Sequence, residues 1–182
     1  VYTNTIPAGA LTTGVGITTV VPAVADLTVL QPPTIAKAFA PISISVGGTS
    51  VLTLTLGNPN AIAITLTAAL TDNLPAGLVV ATPNGLGGTC TLGSVTAVAG
   101  STSVSYASGA TIPAGGCTIV ADVTAAGAGS YVNTIPVCAL SASTGCNDAP
   151  TTATVTVTAL LPPTISKSFA PASITAGGTS AL

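Results

Sequence analysis

Pro32-Pro33-Thr34-Ile35-Ala36-Lys37-Ala38-Phe39-Ala40-Pro41 decides how this chain is read. Between its prolines, Ile35, Lys37 and Phe39 stand two apart, which is the spacing of one face of an extended strand. The stretch returns 130 residues later (167 − 37) as Pro162-Pro163-Thr164-Ile165-Ser166-Lys167-Ser168-Phe169-Ala170-Pro171. Its continuation returns as well: Ile44 to Leu52, through Gly47-Gly48-Thr49-Ser50, matches Ile174 to Leu182. A second echo runs towards the N-terminus, where Tyr2-Thr3-Asn4-Thr5-Ile6-Pro7 matches Tyr131-Val132-Asn133-Thr134-Ile135-Pro136. The chain therefore divides into three parts of a tandem array. Residues 1–31 are the C-terminal part of one repeat, residues 32–161 a complete repeat, and residues 162–182 the N-terminal part of the next.

A repeat of this length is one ordinary domain with its own core, longer than a solenoid unit of roughly 20–50 residues. Only 3% of the residues are charged, and the net charge is −2. That leaves no electrostatic footprint for nucleic acid or an anionic membrane. The mean hydropathy of +0.81 is high. Even so, Gly, Pro, Thr and Ser interrupt every apolar run before it reaches the length of a membrane helix. Three Tyr and two Phe are too few for the aromatic girdles of an outer-membrane barrel.

Strand signals recur between Gly, Pro and Asn breaks, and the helical period is missing. The predicted strands are Thr34 to Ala40, Ser50 to Leu56, Ala61 to Asp72, Leu78 to Ala81, the Cys90 region, Ser101 to Tyr106, Cys117 to Thr124, Tyr131 to Pro136 and Thr151 to Ala159. Leu52, Leu54 and Leu56 point inward, as do Ile62, Ile64, Leu66 and Leu70, and Ile119, Ala121 and Val123. Thr152, Thr154, Thr156 and Thr158 form an outer row. Asn58-Pro59-Asn60 reads as a turn and Pro162-Pro163 as a stiff linker. Short strands with frequent turns predict an all-β, immunoglobulin-like antiparallel sandwich.

The four cysteines, Cys90, Cys117, Cys138 and Cys146, allow three pairings. The first repeat has Gly9 where the second has Cys138, and no cysteine where the second has Cys146. Both being missing together favours Cys138–Cys146 and Cys90–Cys117. The chain-entropy model assigns about 2.5 kcal/mol to the short loop and about 3.5 kcal/mol to the long one. Disulfides imply an oxidising compartment outside the cytoplasm; the alternative is four buried free thiols.

The order Ile-x-Lys-x-Phe, then Gly-Gly-Thr-Ser, Thr71-Asp72-Asn73-Leu74-Pro75-Ala76-Gly77-Leu78, Ile112-Pro113-Ala114-Gly115-Gly116 and Tyr-x-Asn-Thr-Ile-Pro resembles the bacterial surface repeat family named "domain of unknown function eleven". The resemblance covers essentially the whole repeat. It implies an immunoglobulin-like sandwich strung in long arrays in secreted or cell-surface proteins, with no ligand specified.

Alternation also places three sparse polar side chains on core faces. Lys37 lies between Ile35 and Phe39, Asp72 follows Leu70, and Asn133 lies between Tyr131 and Ile135. Three readings stay open. One is an intramolecular isopeptide bond from Lys37 to Asn133, with Asp72 as the proton shuttle. Collagen-adhesin B-type sandwiches have a similar first-strand Lys and late-strand Asn, though they usually place Glu where this chain has Asp72. The second is a buried Lys37–Asp72 ion pair with Asn133 beside it. The third sets Lys37 in solvent at a strand edge.

Enzyme chemistry finds little to work with. There is no His for a triad, and of the four Asp one lies in residues 1–31 and three in the complete repeat, none of them paired in sequence. No catalytic residue, metal site or cofactor is expected; Asn147-Asp148 reads as a polar loop tip, since one carboxylate is too few for calcium. Threonine rows on twisted strands make a poor ice-binding plane. The function expected is a structural repeat of an extracellular or cell-surface fibre of a prokaryote. Its partners would be neighbouring repeats and other copies of itself in filaments. The alternative is an adhesin module whose loops bind a carbohydrate or protein, a surface ligand this sequence does not identify.

Overall fold

Period-two patterning dominates from Thr34 to Thr158, and most of it forms strands. The computed structural model describes all 182 residues. In chain order the strands are β1 (Tyr2–Ile6), β2 (Ala23–Leu27), β3 (Thr34–Ala40), β4 (Ser43–Ser45), β5 (Thr49–Gly57), β6 (Ile64–Thr65), β7 (Leu70–Asn73), β8 (Leu78–Val80), β9 (Gly87–Gly88), β10 (Val95–Thr96), β11 (Ser103–Tyr106), β12 (Thr111–Ile112), β13 (Cys117–Ala125), β14 (Gly129–Ile135), β15 (Ser141–Ala142), β16 (Gly145–Cys146) and β17 (Thr151–Thr158). A single 3-10 turn, Leu92–Ser94, is the only helical element.

The fold is an all-β sandwich. One sheet runs β3-β5-β13-β8, with β9 also paired to β13. The facing layer holds β14-β17-β4, and β14 packs beside β7 of the strip β10-β11-β7. The longest ladder joins β5 to β13, pairing Leu54 with Ile119 and Leu52 with Ala121. Both strands alternate strictly between buried and less buried residues. Such cross-strand apolar pairs are the unit of sheet stability. They belong to one cluster of 28 buried residues that also takes in Phe39, Leu70, Ile135, Val155 and Val157. Thr152, Thr154, Thr156 and Thr158 face outward along β17.

Three sequence expectations need correction. The strand expected over residues 61–72 is broken into β6 and β7. Between them the backbone changes partners: Leu66 N–H donates to Ala110 and Thr67 N–H to Ser141. Ile62, expected inward, is 55% exposed, because the ladder does not begin until Ile64. Cys90 lies just past β9, outside any strand. One pair departs from the antiparallel rule. After Pro41 the chain crosses to the other layer, where β4 runs parallel to β17.

Pro75-Ala76-Gly77 turns the chain between β7 and β8. Gly77 has φ +92, and a Cβ there would sit 3.0 Å from the Tyr131 ring. Both facts require glycine. The Tyr131 hydroxyl donates to Gly127 four residues upstream, 2.8 Å away, pinning the start of β14.

Candidate functional site

The three polar residues singled out by alternation come from three strands, and the sandwich brings them together. Lys37 sits midway along β3, opposite Leu54 of β5. Asp72 is on β7, opposite Val104 of β11. Asn133 is on β14, opposite Ala153 of β17. β3 belongs to one layer and β7 and β14 to the other, so the cluster spans the core.

The Lys37 amine donates to Asp72 Oδ1 at 2.6 Å. The Asn133 amide Nδ2 donates to Asp72 Oδ2 at 3.1 Å. Asp72 thus bridges an amine and a carboxamide, one on each carboxyl oxygen. Neither the Lys37 nor the Asp72 side chain exposes any surface, and Asn133 is 1% exposed. The solvent-exposed reading of Lys37 is therefore wrong for the complete repeat. The flanking Phe39 is buried and Ile35 half-buried, so the strand cannot turn its Lys outward without turning them out as well.

Burial drives the Lys37 amine below its usual basicity, while the hydrogen bond and the charge of Asp72 act in the opposite direction. Asn133 Oδ1 is buried with no hydrogen-bond partner. An orphaned buried acceptor costs about 1–3 kcal/mol, so in a native site it asks for an explanation. Chemically the site offers a desolvated nucleophile, an electrophilic carboxamide, and a carboxyl group touching both.

The cysteines are paired as Cys90–Cys117 and Cys138–Cys146. No group of three or more His, Cys, Asp or Glu gathers anywhere in the structure. Asn147, expected at a polar loop tip, is 1% exposed. Its amide donates to the carbonyls of Pro136 and Ala149 and accepts from Leu140 N–H, and so organises the loop that the second disulfide closes. Asp148 beside it is exposed.

Sequence reasoning missed Asn58 and Asn60. Read as turn formers, they are 2% and 8% exposed. Asn58 Nδ2 reaches the carbonyls of Ile62, Ile112 and Pro113 at 2.8, 3.1 and 3.1 Å. Asn favours turns and satisfies buried backbone with the same amide group. The one signal in the residues was that Asn-Pro-Asn comes directly after a strand whose inward face is Leu52, Leu54 and Leu56.

Residues 33–157 match the family described as Domain of unknown function (DUF7933), and the chain belongs to that family. A search of the curated proteins finds no match. Among solved structures, a cohesin module from Clostridium perfringens ATCC13124 family 33 glycoside hydrolase is similar, with a TM-score of 0.47 and 15% identity over 73% of this chain and 100% of that one. The bacterial hydrophobin BslA has a TM-score of 0.43 and 15% identity, covering 73% of this chain and 98% of that one. The seventh ScaB type I cohesin from Pseudobacteroides cellulosolvens has a TM-score of 0.40 and 16% identity, covering 74% and 98%.

Proposed function

We propose that this member of the DUF7933 family is a load-bearing structural repeat of an extracellular or cell-surface array, locked by an isopeptide bond between Lys37 and Asn133. One observation carries the reading: a fully buried carboxylate that holds an amine on one oxygen and a carboxamide on the other. The Lys37 Nζ lone pair attacks Asn133 Cγ, and Asp72 takes a proton from the nitrogen. Negative charge develops on Asn133 Oδ1, a buried atom with no hydrogen-bond partner. The C–Nδ2 bond then breaks, Asp72 returns the proton to the leaving nitrogen, and ammonia departs. One amide N–H and one carbonyl remain where an amine and a carboxamide stood, so no redox partner is needed. Burial favours the neutral amine, and packing supplies the proximity.

The bond would tie β3 to β14 across 96 residues (133 − 37). A pull on both ends of the repeat would pass through it, shielding everything between from extension. The two disulfides fit an oxidising compartment. With only 3% of residues charged, the sheet edges carry little charge to keep copies apart, which supports lateral association into filaments. Intact-mass measurement tests the lock. The full chain should weigh about 17 Da less than its disulfide-bonded sequence mass, the loss of one ammonia. An unchanged mass, with Lys37 open to acetylation, rules the bond out. Negative-stain images of long regular fibres would support the array, whereas saturable glycan binding would favour the adhesin reading.

A further inference from the structure

A buried side chain grips the backbone of an exposed linker residue. Gln31 stands just before Pro32-Pro33 and is exposed. Its backbone N–H donates to Asn60 Oδ1 at 2.8 Å, and its carbonyl accepts from Asn60 Nδ2 at 2.9 Å. The amide of Asn60 thus meets both polar groups of one residue, as a neighbouring strand would. Solvent would satisfy those groups equally well; a side chain that is 8% exposed does so instead.

Asn60 is itself held. Its backbone N–H and its Nδ2 both donate to Asn58 Oδ1, at 3.0 and 2.9 Å. Asn58 is anchored in turn to the β12 end through Ile112 and Pro113, and its own carbonyl accepts from Gly115 N–H at 3.0 Å. A second wall meets the linker one residue on. A Cβ on Gly145, in the loop closed by Cys138–Cys146, would lie 3.3 Å from Pro32 Cβ. Pro33 is already buried. The prolines therefore pack with the bead, and the stretch held by neither strand pairing nor the grip shrinks to Thr28, Val29 and Leu30.

We propose that Asn58 and Asn60 form the socket of the inter-repeat joint, which captures the backbone of the residue preceding Pro32-Pro33 and so fixes the point at which the chain from the preceding repeat enters the bead. The grip ignores the Gln31 side chain. That agrees with the sequence, where the equivalent place before Pro162-Pro163 holds Leu161. The inference rests on the tandem-repeat reading and not on the isopeptide lock.

The test is amide hydrogen exchange on the full 182-residue chain, with intact mass read on the same sample. In the unsubstituted protein the Gln31 amide should exchange at least about tenfold more slowly than those of Val29 and Leu30, the scale set by one or two hydrogen bonds. Asn60→Ala should abolish that difference while Leu54 and Ile119 stay protected; Gln31→Ala should preserve it. Gln31 exchanging as fast as Leu30 in the unsubstituted chain overturns the socket, as does a Gln31→Ala variant that loses protection. Slow Gln31 exchange without ammonia loss would keep the socket and remove the lock; the reverse would keep the lock alone.

Discussion

The chain carries its own control. Residues 162–182 repeat residues 32–52 with six differences, yet within residues 1–182 only the earlier copy is followed by the rest of its repeat. Local features survive in both. Ser50 Oγ donates to the Pro41 carbonyl at 2.7 Å, and Ser180 Oγ does the same to Pro171 at 2.7 Å. Gly48 N–H closes a turn on Ser45, and Gly178 N–H closes one on Thr175. Long-range features do not survive. β3 pairs with β5 from Thr34 through Ala40, whereas the later copy makes one isolated bridge, Ala170 to Ala181. Leu52 is 1% exposed and its counterpart Leu182 is 74% exposed. Phe39 is buried, while Phe169 lies open beneath the Lys167 amine, 5.9 Å from its ring centre.

The N-terminal hairpin teaches the same lesson. Asn4 and Ile6 match Asn133 and Ile135, but Ile6 is 56% exposed and Ile135 fully buried. The register differs too. Asn133 faces Ala153, whereas Asn4 faces Ala25, the counterpart of Val155 (155 − 130). A two-residue slip keeps every side chain on its face, so nothing in an unpacked hairpin opposes it.

The largest expected effect comes from breaking the lock on one side of this comparison. Lys37→Met should remove the ammonia loss and, with it, the closed loop, at about 4–5 kcal/mol. Denaturant unfolding would register the loss, and Lys167→Met should change little. Next, Leu52→Ala should cost about 2–5 kcal/mol. The same change at Leu182 should stay within about 0.5 kcal/mol; equal costs would mean the later copy is packed. Removing Cys90–Cys117 by paired Ala substitution should cost about 3.5 kcal/mol, and removing Cys138–Cys146 about 2.5 kcal/mol. The smallest effect is on pH dependence. In an Asn133→Ala variant Lys37 stays a free amine whose basicity is lowered by burial. The unfolded state then holds the Lys37 proton more tightly than the folded state. Stability should therefore climb as pH rises through the folded-state pKa towards 10.5, and level off above it. A Lys37→Met/Asn133→Ala variant should lack that slope.

Much of the bead was legible because its strands alternate strictly. β3, β5, β13 and β17 announce both their extent and their buried face in the order of residues. Residues 61–72 do not, because the break falls where the backbone leaves one partner for another. That exchange depends on Ala110 and Ser141, far off in sequence. The inward faces of Lys37, Asp72 and Asn133 were legible for the same reason as the strands. The grip of Asn60 on Gln31 was not, since an amide that serves a turn and one that serves a buried joint are the same letter.

Taken alone, the order of residues determined strand period, side-chain facing, the repeat and its local turns, all of which depend on neighbours a few positions away. Only the tertiary structure decided which faces meet, which register holds and whether a lysine is dry. Those outcomes need partners dozens of residues distant, and the two copies of one stretch, buried at Lys37 and open at Lys167, show the difference that such partners make.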